Sequence, residues 1–408
     1  MTPPMNQLHL TADRTASQGA GSGTATHPLF VGDADAFDTQ LRRHRRDTTF
    51  VLHPGTFETR GAWAFAEFDF CTLGDGCGLV GLEGAGRTIL RLADDYENRV
   101  ATPRGLVPAQ KIEMIIAGSR GGRAQRIRLE GLTLDTRGGK HASGPSLPTV
   151  AVHVFASDSV LRDLKVLEVD GHWAGANEGF GILVNNCGDA SVKPGGHRIE
   201  SCRVECRAGA YVTGLYCGVT RLRPDADVTP STVHDCQVMA PWAIQGKHAH
   251  AALAANTSTT FTHCTGEGFD RFFFCDTGSI DDILLKDCRG FFGYCAIDLP
   301  GPVGPGNPIL HRQNFQVRDC VLTAAYPHAD HVVLLNAQDG SEGSKAFPVH
   351  NIAVQGCVVS SDNPGVAFYA VSVKAARTSG VRITGCTLPP HRQLGIWPPT
   401  PPGSVAVV

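Results

Sequence analysis

The sequence predicts an all-β solenoid, a single-stranded parallel β-helix of about ten coils with a short N-terminal capping helix. Its main evidence is a repeated phrase that ends in one cysteine, as in Arg198-Ile199-Glu200-Ser201-Cys202. The copies are spaced from 24 residues (Cys264 to Cys288) to 38 residues (Leu164 to Cys202), which is typical of a solenoid. Apolar and polar residues alternate within each copy, and this is strand periodicity. The repeated position is occupied in turn by Leu132, Leu164, Cys202, Cys236, Cys264, Cys288, Cys320, Cys357 and Cys386.

Composition agrees with this fold. A chain of 408 residues exceeds the usual size of one compact core, whereas a solenoid grows along its axis. The 47 glycines suit a fold with many tight turns. The formal net charge of -3 gives no reason to expect nucleic acid or an anionic membrane as a partner. The oligomeric state is left open.

The fourteen cysteines do not predict a disulfide framework. Seven of them are repeat residues, and a buried cysteine commonly behaves as a small hydrophobe. There is no paired Cys-x-x-Cys of a zinc site. Residues 1–7 show no apolar signal core, and no apolar run is long enough to cross a membrane. We therefore expect reduced thiols and a cytoplasmic location.

The ends of the chain differ from its middle. Residues 1–27 are rich in Thr, Ser, Gly and Ala, which predicts a disordered leader. The β-helix is expected over 28–395, with a helix near 33–46 that covers the first coil. Residues 396–408 form a Pro-rich tail, expected to lie along the last coil or to be loose.

Two early phrases carry a family resemblance. Residues 49–57 (TFVLHPGTF) and 78–90 (GLVGLEGAGRTIL) resemble the first turns of the pectate-lyase-like right-handed parallel β-helix superfamily. The resemblance runs through the repeats to about Leu388. It implies a right-handed coil and a substrate groove on an outward face. The catalytic signatures of polygalacturonases and pectate lyases are absent, so the resemblance does not fix the reaction.

Each coil carries a second strand that ends in a polar residue. The strands are predicted at 182–185, 253–256, 273–276, 295–298, 333–336 and 371–374. Because side chains alternate across a strand, their last residues should form one outward row of substrate-binding and catalytic side chains. The row consists of Asn185, Asn256, Asp276, Asp298, Asn336 and Lys374.

Asp276 and Asp298 are the predicted reaction centre, because they would lie on adjacent coils. Two close carboxylates split their pKa values, as acid and base work at a glycosidic bond requires. The same pair could hold a calcium ion, the one cofactor considered. The structural alternative is a ladder of Asn and Asp where strands turn.

The loops before these strands add further candidates. Arg271, Lys247 and His331 are the available bases or charge neutralisers. The substrate-binding candidates in the loops and strands are Asp270, His172, Trp173, Phe272, Phe274 and Tyr294, and the aromatic ones could stack on a sugar ring or suit an apolar molecule.

These observations favour a carbohydrate-active enzyme, either a glycoside hydrolase or a lyase of polysaccharides or oligosaccharides. The alternative is a cytoplasmic cyclase, isomerase or dehydratase that acts on a partly apolar small molecule in a biosynthetic pathway. A third hypothesis is a non-catalytic binding β-helix. An open groove would favour a polymer, and a closed pocket roofed by the loops before Lys247, Asp270 and His331 would favour a small molecule.

Overall fold

The computed structural model of this protein describes most of the chain. The described residues are 6–15, 22–63, 73–96, 99–102, 105–108, 111–118, 122–143, 145–173, 177–186, 189, 191–219, 227–243, 247–275, 280–300, 312–326, 330–338, 349–398 and 400–408.

Nearly every regular element is a strand. In chain order the elements are β1 (Asn6–Thr11), β2 (Leu29–Phe30), α1 (Ala34–Arg43), β3 (Thr48–Leu52), β4 (Gly55–Thr59), β5 (Ala62–Trp63), β6 (Gly78–Gly81), β7 (Thr88–Leu92), β8 (Arg99–Thr102), β9 (Gly105–Pro108), β10 (Ile112–Gly118), β11 (Arg128–Asp135), a 3-10 turn (Arg137–Gly139), β12 (Thr149–Phe155), β13 (Val160–Val169), β14 (Gly179–Asn185), β15 (Arg198–Glu200), β16 (Arg203–Cys206), β17 (Val212–Gly218), β18 (Ser231–His234), β19 (Gln237–Met239), β20 (Ala249–Ala255), β21 (Thr257–Thr262), β22 (Thr265–Phe274), β23 (Ile280–Lys286), β24 (Arg289–Leu299), β25 (Arg312–Arg318), β26 (Val321–Ala324), β27 (His331–Gln338), β28 (Val349–Gln355), β29 (Val358–Ser361), β30 (Ala367–Lys374), β31 (Thr378–Ser379), β32 (Val381–Thr384), β33 (Arg392–Ile396) and β34 (Val405–Val407).

The strands form three parallel faces around one core, which confirms the predicted parallel β-helix. The first face stacks β1, β3, β6, β11, β13, β15, β18, β21, β23, β25, β28, β32 and β34. The second stacks β4, β7, the later halves of β11 and β13, β16, β19, the first halves of β22 and β24, β26 and β29. The third stacks β10, β12, β14, β17, β20, the later halves of β22 and β24, β27, β30 and β33. The first face therefore holds thirteen strands within the described chain, where the repeats indicated about ten coils.

The repeated phrase marks the corner between the first and second faces. The residue before each repeat position has a left-handed backbone, with φ of 51° at Asp235 and 55° at His263, for example. Asp, Asn and Gly tolerate this conformation best, which explains the short polar residues and glycines that precede most of the cysteines. The cysteine that follows turns inward, and Cys264 donates to the carbonyls of Thr262 (3.4 Å) and Val233 (3.6 Å). All twelve cysteines of the described residues are free thiols.

The predicted capping helix is present as α1. The Asp33 side chain accepts a hydrogen bond from the Ala36 N–H (2.8 Å), which satisfies one free donor of the first turn. Phe37 and Leu41 are buried against the first coils. The helix thus covers apolar surface at the start of the stack.

Both chain ends contribute strands to the first face. β1 pairs in parallel with β3, so the prediction of a disordered leader is wrong for Asn6–Thr11. The physical reason is that Leu8 and Leu10 alternate with polar residues, and Leu10 reaches the core. At the other end β34 pairs with β32, which places part of the Pro-rich tail in the last coil. None of the described helices is long and apolar enough to span a membrane.

Candidate functional site

The outward side of the third face carries two rows of side chains set by strand register. The first outward row is Glu113, Val150, Phe180, Thr213, Ala251, Arg271, Cys295, Val333 and Tyr369. The second outward row contains His153, Leu183, Tyr216 and Ala254, and continues with Phe274, Asp298, Asn336 and Ser372. These side chains lie outside the main core, and most of them are nevertheless buried from solvent.

A buried ion pair forms the most polar part of the second row, and we call it the Asp298 centre. Arg271 Nε donates to Asp298 Oδ2 at 2.6 Å, and Asn336 Nδ2 donates to Asp298 Oδ1 at 2.6 Å. Gln338 Nε2 in turn donates to Asn336 Oδ1 at 2.9 Å. The Asp298 side chain is 4 % exposed and that of Arg271 is 19 % exposed. Burial removes water from both charged groups, so the pair relies on its hydrogen-bond partners to offset the cost of this desolvation.

Aromatic rings surround the guanidinium of the Asp298 centre. Arg271 lies over the ring of Phe274 (5.0 Å from its carbon Cζ to the centroid) and over that of Tyr294 (5.3 Å). His331 packs edge-on against Tyr294 and Tyr369, with centroid distances of 5.7 Å in each case. The structure thus brings Arg271, His331, Phe274 and Tyr294 together around Asp298. Their roles in binding or catalysis stay predictions.

Asp270 supplies a second carboxyl group next to Arg271. The side chain is buried, and loss of hydration raises its pKa to about 6 against the opposing charges of Arg271, His248 and His250. Asp298 has instead a direct guanidinium partner. The two acids therefore have different surroundings, as an acid and a base at one bond require.

An aromatic cluster continues the face towards the N-terminus. Trp173 packs against Tyr211 (4.6 Å between centroids) and His250 (5.7 Å), and His250 packs against Phe274 (4.5 Å). Trp173 Nε1 donates to the Gly209 carbonyl at 2.7 Å, which holds the ring in place. The exposed Lys247 places its ammonium 4.5 Å from the Trp173 centroid. Half-buried rings beside an exposed ammonium can bind a sugar ring that carries an acid group.

Several polar residues of this face were not predicted. Glu178 Oε1 accepts a hydrogen bond from Thr213 Oγ1 and lies 3.4 Å from His250 Nδ1. Further along, the buried His153 Nδ1 lies 2.7 Å from Glu113 Oε1, and Asn185 Nδ2 lies 2.8 Å from His153 Nε2. The available signal was a charged residue inside an apolar strand, as at Glu113 and His153. Those coils carry Leu132 and Leu164 at the repeat position, but loops of unequal length separate these residues from Glu113 and His153 and hid their register.

The register corrects the predicted outward row. The residue opposite Asp298 is Phe274, where the prediction placed Asp276. Asp276 itself lies outside the described residues. Asn336 is opposite Asp298 as predicted, but the next residue in that row is Ser372 and not Lys374, which is opposite Gln338. At two of the strand pairs the register is therefore offset by two residues from the predicted alignment, because loops of unequal length hide where each strand begins.

Four other candidates have the following positions. Phe272 was expected to point outward, but it is fully buried in the core against Gly266 and Gly290, because two consecutive residues of the strand point inward here, as Ala252 and Leu253 do in the coil before. Asn185 is opposite Gly218. Asn256 is buried, and its amide oxygen accepts from Tyr216 Oη at 2.9 Å and from Cys275 Sγ at 3.0 Å. His172 is half-buried in a short bridge with Asn177.

The part of the chain that the structure describes offers no set of side chains that could bind the predicted calcium ion. No group of three or more His, Cys, Asp or Glu side chains there could hold a metal ion. Both oxygens of Asp298 already accept hydrogen bonds from Arg271 and Asn336.

Comparison with known structures finds proteins of similar architecture. A rhamnogalacturonan lyase superposes with a TM-score of 0.54 at 10% identity, over 90% of this chain and 84% of that chain. The A-module of a mannuronan C-5 epimerase from Azotobacter vinelandii gives a TM-score of 0.49 at 13% identity, over 98% of this chain and 100% of that chain. A family 28 exopolygalacturonase from Yersinia enterocolitica gives 0.47 at 9% identity, over 98% and 78% of the two chains. No protein-family model matches the sequence, and no curated protein matches it.

The chain has the right-handed parallel β-helix fold, which it shares with the rhamnogalacturonan lyase. At these identities the likeness describes the fold alone.

Proposed function

We propose that this protein is a carbohydrate-active enzyme that cleaves glycosidic bonds in an acidic polysaccharide or oligosaccharide. The observation that carries the proposal is a pair of buried carboxyl groups, Asp270 and Asp298, on a face lined by aromatic rings and cations. Rings bind the faces of sugars, and the cations Lys247 and Arg271 suit a uronate. The superfamily fold agrees with this substrate class by analogy.

Hydrolysis is the reaction that this carboxyl pair suits best, and elimination by a lyase is the runner-up. Asp270, with its pKa raised to about 6, holds a proton in mildly acidic solution and can donate it to the departing oxygen. Asp298 is the carboxylate that would assist water or attack the sugar, while Arg271 and Asn336 fix its orientation. His331 and Tyr294 flank the same place and are proposed to contact the sugar.

The test is a digestion of mannuronan, polygalacturonate and rhamnogalacturonan, with neutral dextran as the control polymer. Hydrolysis releases reducing ends alone, whereas elimination also yields ends with a carbon–carbon double bond, detected by ultraviolet absorbance. We expect Asp298→Asn and Asp270→Asn, each checked for folding by circular dichroism, to lower the hydrolytic rate about a hundredfold or more. Parallel assays with added calcium and with a chelator test the predicted calcium role. Full activity in both folded variants would refute the assignment of the acid pair.

A cyclase, isomerase or dehydratase of a small molecule is the second candidate. The ring cluster of Phe274, Tyr294 and Tyr369 favours it, since such rings also enclose apolar ligands. The free thiols agree with the proposed cytoplasmic location. If the protein binds no polymer but acts on a partly apolar metabolite, this result would favour the second candidate.

A further inference from the structure

A pair of histidines lies on the outward side of the first face, at the N-terminal end of the stack. His9 belongs to β1, and His53 follows the last residue of β3. Their ring nitrogens are in contact, with His9 Nδ1 3.2 Å from His53 Nε2, although the two residues are 44 positions apart in the sequence. The ring centroids are 5.4 Å apart, and the ring planes are inclined by 70°. The parallel pairing of β1 with β3 brings the two rings together, and we call them the His9–His53 pair.

The backbone holds both histidines of the pair in place. The His9 N–H donates to the Gly23 carbonyl at 2.8 Å, and the His53 N–H donates to the Leu10 carbonyl at 2.9 Å. Their neighbours Leu10 and Leu52 are fully buried in the core, so the two imidazoles point outward. His9 is buried and His53 is half-buried, which leaves the pair open to solvent on the His53 side. Side chains fixed in this way lose little conformational freedom when they bind an ion.

The distance between the two nitrogens matches that between two ligands of one tetrahedral metal ion. Zinc–nitrogen bonds of about 2.0–2.1 Å at the tetrahedral angle place two imidazole nitrogens roughly 3.3 Å apart. Adjacent nitrogen ligands of a square-planar copper ion lie closer together, at about 2.8 Å. The observed separation of 3.2 Å is nearer to the tetrahedral value. Among the ions that imidazole binds well, the spacing therefore favours zinc.

The electrostatic surroundings of the pair also suit a cation. Burial lowers the pKa of both imidazoles, and the charge of His53 lowers that of His9 further. Both rings are therefore neutral at neutral pH, which is the state in which imidazole binds a metal. The carboxylate of Glu83, on the turn after β6, acts on His53 in the opposite direction, and this side chain is exposed. Its negative charge attracts a cation to the pair.

We propose that His9 and His53 bind one zinc ion, which fastens the N-terminal strand β1 to the coil that contains β3. His9 Nδ1 and His53 Nε2 each give a lone pair to the ion, and two water molecules complete the tetrahedron. The ring that donates its N–H in the metal-free pair changes tautomer, so the far nitrogen of each ring carries the hydrogen and no net proton is released. Because the ion binds only the folded first coil, it stabilises this end of the stack.

The first experiment titrates zinc into the metal-free protein by calorimetry. We expect one equivalent to bind, and His9→Gln or His53→Gln to weaken this binding about tenfold or more, because each variant keeps a single imidazole at the site. The matched control is His234→Gln. The rings of His234 and His263 also lie 5.4 Å apart and are exposed, but His234 Nδ1 pairs with Thr262 Oγ1 at 2.8 Å. This variant should bind zinc as tightly as the wild type does.

A second measurement, hydrogen exchange followed by mass spectrometry, locates the bound ion. With zinc at about ten times its dissociation constant, we expect exchange of the amides in β1 to slow about tenfold, because binding reduces the population of the open strand by that factor. Exchange in β1 of His9→Gln and His53→Gln should not respond to zinc. The C-terminal strand β34 is the internal control, because it belongs to the other end of the stack and should exchange at one rate with and without the ion.

The outcomes distinguish a zinc site from a plain hydrogen bond between two imidazoles. Equal zinc affinity in the wild type and in both folded variants would mean that other histidines bind the ion, and would overturn the proposal. Zinc binding without slower exchange in β1 would overturn it as well. If His9→Gln fails to fold, His53→Gln at the more exposed ring decides the question. The zinc site lies on the first face, so failure of the polymer digestions would refute the proposed function and leave the zinc site standing.

Discussion

Asp270 and Asp298 show how neighbouring strands give one residue type two environments. Asp298 accepts hydrogen bonds from Arg271 and Asn336 on both oxygens. Asp270 is equally buried, but its pKa is raised because burial outweighs the attraction of Arg271 and two histidines. A charge buried at such a cost is a typical sign of a functional site, since a neutral residue would serve the fold better.

Replacing Asp270 should therefore stabilise the protein in a defined pH range. The folded-state pKa of about 6 lies above the unfolded value of 3.8, so the folded protein binds the extra proton between these pH values. Stability consequently falls as pH rises from about 4 to 6, by at most roughly 3 kcal/mol. We expect Asp270→Asn to lack this fall and to be more stable than the wild type above pH 6. Urea denaturation at pH 4, 5, 6 and 7.5 measures it, and equal stability curves at all four values would contradict the assignment.

At the scale of the strand, the sequence predicts the stacking of strands but not the register between coils. Alternation and the repeated cysteine correctly predicted strands that stack in parallel around one core. They did not give the register between coils, because the loops between strands differ in length. A two-residue offset keeps every side chain on its face but changes its neighbours, and so Phe274 replaced Asp276 opposite Asp298. Glu113, His153 and Glu178 stayed unpredicted, because only the folded register brings them to the face.

Phe272 shows the other limit of alternation at this scale. Strand periodicity predicts that Phe272 and Phe273 point to opposite sides, yet both are fully buried in the core. The same two consecutive positions are buried in the core in the adjacent coils, as at Ala252 and Leu253 and at Ala296 and Ile297. The ring of Phe272 then fills the space above Gly266 and Gly290. This pair of consecutive inward positions recurs from coil to coil and departs from a period of two.

Gly290→Ala tests this packing. A methyl group at Gly290 would lie 2.5 Å from Phe272 Cγ, and the buried ring has no room to move away. We expect a loss of about 2 kcal/mol in the free energy of unfolding, the usual effect of overpacking a core. Gly86→Ala is the matched control, because its methyl group would meet nothing within 4 Å. Equal stability of the two variants in urea denaturation would show that Phe272 does not pack as described.

At the scale of the whole molecule, the stacked thiols run through the coils as one continuous column. The hydrogen bond with the Cys264 thiol, together with burial, raises the pKa of Cys288 to about 12, so this thiol is a poor nucleophile while folded. Each coil contacts mainly the coils before and after it, so the stability of a coil depends on its neighbours. Cys264 is fully buried between the coils of Cys236 and Cys288, whereas Cys386 is only partly buried near the last strand, β34.

The reactivity of the stacked thiols should therefore show which coils of the solenoid open first. We expect pulsed alkylation of the native protein to modify Cys386 first and Cys264 last, because an end coil has a neighbour on only one side. Mass mapping of the peptides gives the rate at each thiol, and the two cysteines serve as each other's control because they share one molecule. In denaturant the two rates should converge, since both thiols are then exposed. Equal rates without denaturant would instead mean that all coils open together, and the nearest-neighbour account of stability would then not hold for this protein.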